Sequence, residues 1–144
     1  MHDFGNVYQA VKTPMGMSTR LFWALVGGED RRKLWEVITR EEFDDAEARL
    51  REIVGRLDGA RMDRPDSGLI MDEVRNAAAM LLFACHHGRR RLGVEEMPDD
   101  TLKARLGAII GRHRELWLDR NRPGGLDDSC RRLEARLAEC GDAP

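Results

Sequence analysis

Residues 67–92, SGLIMDEVRNAAAMLLFACHHGRRRL, decide the fold of this chain. Apolar side chains recur along this stretch at intervals of three and four residues, which is the spacing of one face of an α-helix. That stripe consists of Ile70, Val74, Ala77, Leu81 and Cys85. Ala78, Ala84 and Gly88 lie beside the stripe, and small residues let a second helix approach closely. The stretch therefore predicts a long helix, from about Ser67 to Leu92, packed among other helices.

Two further long helices are predicted on either side of it. Thr39-Arg40-Glu41-Glu42 has the spacing of a capping box, in which the threonine and glutamate side chains each accept a hydrogen bond from a free backbone amide. The helix that it starts runs to about Gly59, and its apolar seam comprises Phe43, Ala46, Leu50, Ile53 and Leu57. Asp99 and Asp100 start the third long helix, because the helix dipole favours negative charge there. The proline and glycines within residues 121–125 end it.

Shorter helices complete the chain at both ends. A C-terminal helix is predicted over residues 126–139, and short N-terminal helices are predicted before Ile38, the second of them capped by Ser18 and closed by Gly27-Gly28. Sustained strand alternation occurs nowhere in the sequence. The prediction is an all-α fold: an antiparallel helical bundle of three long helices plus a C-terminal helix and the short N-terminal helices. Residues 1–144 form one domain, with the short helices in 1–38 and the bundle in 39–144.

Composition excludes several classes of function. The chain has 24 Lys+Arg against 26 Asp+Glu, a net charge of -2, which lacks the broad positive field of a non-specific nucleic-acid binder. Mean hydropathy is -0.53, and no apolar run approaches the roughly 18 to 20 residues of a membrane span. The N-terminus lacks the basic start and apolar centre of a secretory signal. A cytoplasmic protein with neither nucleic acid nor membrane as partner is predicted.

The cysteines and histidines do not form a recognisable site. Cys85, Cys130 and Cys140 include no CxxC pair and are expected to be reduced and structural. His86 and His87 are adjacent, which is not the spacing of zinc ligands, so neither a metal site nor any cofactor is predicted. We expect this histidine pair to lie at a helix C-terminus where positive charge is favoured. His113 should form a hydrogen bond in the core.

Two charged motifs have structural explanations. Arg89-Arg90-Arg91 is typical of a solvated helix C-terminus, where cations complement the helix dipole. Asp72-Glu73 is a carboxylate pair of the kind that acid–base catalysis uses, but it lies inside an amphipathic helix rather than at a strand end. We therefore predict no catalytic role for this pair.

One segment is unlike an ordinary connection between helices: residues 113–129, HRELWLDRNRPGGLDDS. A helix connection does not require a tryptophan, two arginines around an asparagine, and Pro-Gly-Gly together. The segment resembles the end of the helical region that follows the catalytic barrel in bacterial β-N-acetylhexosaminidases of glycoside hydrolase family 20. The opening residues Phe4-Gly5-Asn6-Val7-Tyr8, with Leu21-Phe22, look like the linker and first helices that leave such a barrel.

The resemblance implies that the chain is a fragment, the non-catalytic C-terminal helical accessory domain of a larger hydrolase. Such a parent enzyme cleaves terminal N-acetylhexosamine by substrate assistance, with an Asp-Glu pair on its barrel. No segment here matches the family's catalytic strand motif, so no catalytic residue is carried over, Asp72-Glu73 included. The matching positions are a structural motif: Trp117, Arg120, Asn121, Arg122, Pro123, Gly124 and Gly125. Arg120 and Arg122 are expected to bind carbonyls or carboxylates of a neighbouring helix or of the barrel.

The partners that follow from this interpretation are the catalytic barrel of the parent chain and a second copy of the domain. A homodimer would form through the apolar faces of the short helices, built on Phe22, Trp23, Leu34 and Trp35. A second interpretation stays open at this point: a free-standing helical interaction or regulatory module, for which Met1 is the true start. An open reading frame upstream of Met1 would favour the accessory domain.

Overall fold

In the computed structural model, residues 20–27, 38–95 and 97–140 are described, and these residues form five helices and no strand. The helices are α1 (Arg20–Val26), α2 (Arg40–Leu57), α3 (Ser67–Arg91), α4 (Asp99–Arg120) and α5 (Leu126–Glu139). The predicted all-α class is confirmed. The helices predicted within residues 1–19 and 28–37, with Leu34 and Trp35, lie outside the described residues.

The long helices begin where local sequence signals place them. Thr39 forms the capping box: its Oγ1 accepts a hydrogen bond from the Glu42 backbone N at 3.3 Å, and Glu42 Oε2 accepts one from the Thr39 backbone N at 3.1 Å. Asp99 and Asp100 lie in the first turn of α4, as predicted. The helix ends are also those expected to within two residues, since α2 ends at Leu57 and α3 at Arg91.

Helix α3 lies at the centre of the fold, because α1, α2 and α4 all pack against it, and α5 packs against α4 and α1. Helix α3 buries more of its surface than the predicted apolar stripe. Every residue from Phe83 to Arg89 is buried, whatever direction its side chain takes from the helix axis. The C-terminal half of α3 is therefore enclosed. Its polar side chains need hydrogen-bond or ion-pair partners within the protein, because burying them unpaired costs free energy.

Helices α3 and α2 approach each other closely at Gly88. A Cβ atom placed on Gly88 would lie 2.2 Å from Cζ of Phe43, whose side chain is fully buried. Only glycine leaves room for the ring at this position. The prediction that small residues on α3 admit a neighbouring helix is thus confirmed at Gly88.

Helix α1 buries one face and leaves part of its apolar surface exposed. Leu21, Ala24 and Leu25 enter the core, whereas Phe22 is 38 % exposed. The apolar stripe of this short helix spans more than its contact with α3 and α5 covers, so Phe22 is left at the surface.

Within the described ranges, no helix combines the length and apolar character needed to cross a bilayer.

Candidate functional site

The segment that resembles the hydrolase motif forms a tight corner between α4 and α5, and residues 117–126 are called the α4–α5 corner below. The Trp117 indole Nε1 donates a hydrogen bond to the Arg122 backbone O at 3.1 Å. The Asn121 backbone N donates to the Trp117 backbone O at 2.7 Å, which closes the last turn of α4. Trp117 therefore stabilises the end of its own helix through its backbone carbonyl and the following chain through its indole.

Gly125 is required at the corner by its backbone conformation. Its φ of 87° lies in the left-handed region, which residues other than glycine rarely adopt. Space is not the reason, because an added Cβ would lie 3.5 Å from the Trp117 ring, an ordinary van der Waals distance. The Ser129 backbone N donates to the Gly125 backbone O at 3.0 Å and so starts α5 directly after the turn. The Pro-Gly-Gly sequence is thus explained by backbone geometry.

Arg120 joins the corner to the N-terminal half of α3. Its Nε and Nη2 donate to the two carboxylate oxygens of Glu73 at 2.6 and 3.0 Å, and its Nη1 donates to Asp66 Oδ2 at 3.1 Å. The hydrogen bond from Arg120 lowers the pKa of Asp66, although partial desolvation opposes the shift. The predicted role of Arg120, binding carboxylates of a neighbouring helix, matches this geometry. Arg122 contributes its backbone carbonyl to Trp117.

The Asp72-Glu73 pair is used in two separate ion pairs. Asp72 Oδ2 accepts from Arg112 Nη2 of α4 at 2.7 Å, while Glu73 binds Arg120. The two adjacent carboxylates thereby connect α3 to α4 at two points along α4. They do not share a cleft, which is what paired acid–base catalysis needs.

A cavity of about 250 Å³ lies between α3 and α4 beside the corner. Its lining residues come from both helices and from the first corner residue after α4: Glu73, Asn76, Ala77, Met80, His113, Leu116, Trp117 and Asn121. His113 is half-buried and its Nε2 lies 2.8 Å from the Ser129 Oγ of α5. Its ring meets the Trp117 ring edge to face, with centroids 5.9 Å apart and planes at 68°. Burial, and then the charge of Arg114, lower the pKa of His113, so its imidazole is neutral at pH 7.

At the other end of α3, the buried Arg89 is the centre of an ion cluster whose carboxylates reach outward to the exposed Asp44. We call it the Arg89 cluster: Asp44, Glu47, His86, Arg89 and Glu95. Arg89 is only 7 % exposed. Its Nε donates to Glu95 Oε2 at 2.9 Å, its Nη1 to Asp44 Oδ1 at 3.1 Å, and its Nη2 to Glu47 Oε2. The prediction of a solvated arginine run is wrong at Arg89, because α3 is still enclosed by its neighbours at the start of its last turn.

His86 belongs to the same cluster. Its Nδ1 lies 2.7 Å from Glu95 Oε1 and 3.0 Å from Arg89 Nη2. The carboxylate can only accept and the guanidinium can only donate. With a proton on Nδ1, His86 donates a hydrogen bond to Glu95 and its contact with Arg89 is not a hydrogen bond; in the other tautomer Nδ1 accepts from Arg89. Glu47 stays ionised in this cluster: burial alone would raise its pKa, but hydrogen bonds from Arg51 and Arg89 lower it.

His87 is buried on the opposite side of α3. Its ring stacks on Phe83, with centroids 5.8 Å apart and planes within 7° of parallel. Burial, and then the charges of Arg136, Arg91 and Arg90, lower its pKa to about 3. The expectation of positive charge at this helix terminus is therefore wrong for His87, which is buried and neutral.

The thiols take no part in a reactive site. Cys85, Cys130 and Cys140 are free and buried. Burial raises the pKa of the Cys85 thiol to about 12, which removes the thiolate needed for nucleophilic attack at neutral pH. Across the residues that the structure describes, no three His, Cys, Asp or Glu side chains are placed to hold a metal ion.

Of the residues predicted to form an interface, two are described. Phe22 is exposed and Trp23 is half-buried, and their rings meet edge to face with centroids 5.4 Å apart. Their role in association stays a prediction.

Sequence reasoning missed Asn76 and the carboxylate partners of Arg89. The signal for Asn76 was its position in Asn76-Ala77-Ala78-Ala79, where a poor helix former interrupts a run of strong ones. Asp44, Glu47 and Glu95 gave no such signal. They lie 42 to 45 residues before Arg89 or six residues after it, and only the packing of α2 on α3 brings them together.

Comparison with known proteins adds no relative: no protein-family model, no curated protein and no solved structure matches the chain.

Proposed function

We propose that this chain is a non-catalytic helical accessory domain of a glycoside hydrolase similar to β-N-acetylhexosaminidase, and that it packs on the catalytic barrel of a longer parent chain. The observation that supports the proposal is that the motif residues make structural contacts. In the α4–α5 corner, Trp117, Arg120 and Gly125 each make a contact that fixes the path of the chain. A segment whose distinctive residues all serve such local contacts is expected of a rigid support rather than of a reactive centre.

The charged clusters support a non-catalytic role. The Asp72-Glu73 carboxylates are bound by Arg112 and Arg120, and Glu47 and Glu95 are bound by the buried Arg89. Carboxylates paired with arginine in this way stay ionised, whereas a general acid needs a raised pKa. The parent barrel would supply the groups that cleave the glycosidic bond.

The proposal is tested by two proteins, this chain and a product extended upstream through the whole open reading frame. Each is assayed with a chromogenic N-acetyl-β-hexosaminide. We expect hydrolysis by the extended protein and none by the 144-residue chain. Deleting residues 39–144 from the extended protein should lower its melting temperature, because the barrel loses the surface that covers it.

Two results would overturn the proposal. The first is an in-frame stop codon directly upstream of Met1, which would favour the free-standing interaction module. The second is an extended protein that folds without any catalytic barrel.

A further inference from the structure

The cavity beside the α4–α5 corner has the size of a small-molecule site. Its volume is about 250 Å³, and it is partly open at the surface. A cavity of about 150 Å³ in another protein holds one benzene molecule. The space between α3 and α4 therefore has room for a molecule of roughly ten non-hydrogen atoms.

Asn76 is the polar group that sets the chemistry of the cavity. The residue is 7 % exposed, and within the described ranges its side-chain amide forms no hydrogen bond to another protein group. The amide atoms are not among the polar atoms that are fully shut off from solvent, so their partner is a molecule that enters from the open side. Asn76 lines the cavity, and its amide can offer one acceptor and two donor hydrogens to an occupant.

The other polar groups of the wall leave no uncompensated charge. Both carboxylate oxygens of Glu73 bind Arg120, at 2.6 and 3.0 Å. His113 is neutral at pH 7, and its Nε2 is paired with Ser129. A charged ligand would lose its hydration without meeting an opposite charge, so the cavity favours an uncharged one.

The remaining wall is apolar and partly aromatic. Ala77, Met80 and Leu116 line it together with the Trp117 indole. The hydrogen bond from Trp117 Nε1 to Arg122 and the contact with His113 fix the orientation of the indole. A thioether and a fixed indole both suit contact with a flat ring. Water alone would pair with Asn76 but would leave this apolar surface hydrated.

We propose that the cavity binds a small uncharged molecule, with a carboxamide or an equivalent donor–acceptor group on Asn76 and a flat apolar body against Trp117 and Met80. This site is independent of the proposed accessory role, because it is built entirely from α3, α4 and the corner.

The test uses benzamide, which has the proposed size and chemistry, titrated into the isotope-labelled chain and followed by NMR. We expect saturable shifts of the Trp117 indole N–H and the Asn76 side-chain amide resonances, and nuclear Overhauser contacts between the benzamide ring and the Met80 methyl group. Trp117→Phe identifies the indole resonance. No saturable shift up to about 10 mM benzamide, or contacts to other residues only, would overturn the proposal.

A matched variant and a matched probe isolate the amide contact. Asn76→Leu keeps the side-chain size but removes the amide, so the dissociation constant for benzamide should rise about tenfold while the melting temperature does not fall. Benzoate has the same shape with a charge and should bind about tenfold more weakly than benzamide. Equal binding by Asn76→Leu, or equal binding of benzoate, contradicts the proposal. Ala77→Leu fills the cavity and should abolish the benzamide shifts, which gives a second variant if Asn76→Leu does not fold.

Discussion

The two halves of α3 are each joined to neighbouring helices by an arginine, but in opposite surroundings. In the C-terminal half, the Arg89 side chain is 9 % exposed and binds three carboxylates that come from α2 and from the loop after α3. In the N-terminal half, Arg120 of α4 is 36 % exposed and binds Glu73 and Asp66. The same pairing of guanidinium and carboxylate is thus enclosed at one end of a helix and hydrated at the other.

The difference shows what each contact contributes. A buried ion pair gains little over an apolar pair of the same shape, but removing one partner leaves charges without compensation in a low-dielectric interior. A hydrated pair loses little when one partner is removed, because water replaces it. We infer that the Arg89 cluster specifies how α2 packs on α3, and that Arg120 mainly positions the corner.

The largest effect is expected for Arg89→Ala. The variant leaves Asp44, Glu47 and Glu95 without their shared cation, and should lower the free energy of unfolding by about 3–5 kcal/mol. Urea denaturation measures this, with Arg120→Ala as the matched variant in the other half, for which a much smaller loss is expected. Equal losses of unfolding free energy for the two variants would show that burial does not make the Arg89 contacts more important than those of Arg120.

Glycines in the two halves should respond with opposite signs to alanine. Gly88→Ala places a methyl group against the buried Phe43 ring and should cost about 3 kcal/mol, the upper end of the range for overpacking. Gly68→Ala meets nothing within 4 Å and should raise stability by up to about 1 kcal/mol, because alanine is the better helix former. Thermal unfolding of both variants checks the prediction. A neutral Gly88→Ala would mean that α2 can move away from α3.

The pH dependence of stability should also differ between the two halves. His87 has a folded pKa of about 3, against about 6.5 in the unfolded chain. Between these values the unfolded state binds a proton that the folded state does not, so stability falls as the pH falls, by up to about 1.4 kcal/mol per unit. Over pH 6.5 to 5 the expected loss is about 1.6 kcal/mol, because the unfolded histidine is only half protonated at pH 6.5.

His87→Leu should remove most of this slope, measured by urea denaturation at several pH values. His113→Leu is the control, because His113 is only half-buried and its lowered pKa should give a smaller slope. Glu47 also has a lowered pKa, so its contribution is present above about pH 4.5 and is lost as the pH falls further. Restricting the measurement to pH 5 and above separates the effect of His87 from the effect of Glu47. A slope unchanged by His87→Leu would contradict the assignment.

The smallest effect is expected at the corner. Trp117→Phe keeps an aromatic ring but removes the hydrogen bond to the Arg122 carbonyl, and should cost about 1 kcal/mol. Amide hydrogen exchange should then rise in residues 121–126 and stay unchanged around Arg89. Faster amide hydrogen exchange throughout α3 would show that the two halves of this helix unfold together.

The sequence predicted the helices well, since their limits depend on neighbouring residues. The capping box at Thr39, the aspartates at the start of α4 and the glycines of the corner act within one turn of the helix. The corner was also recognisable as a unit, because Trp117 and Arg122 are only five residues apart. The proposed ligand site was not, since Asn76 and His113 lie on different helices.

The sequence by itself determined that this chain forms helices, where they begin and end, and that the segment from Trp117 to Gly125 makes a sharp turn. Only the tertiary structure decided that Arg89 and His87 are enclosed and that Asn76 of α3 lines a cavity. The physical reason is the distance along the sequence over which each interaction acts. Backbone capping and turn geometry depend on residues a few positions apart, whereas burial and charge pairing depend on which helices surround α3 in space.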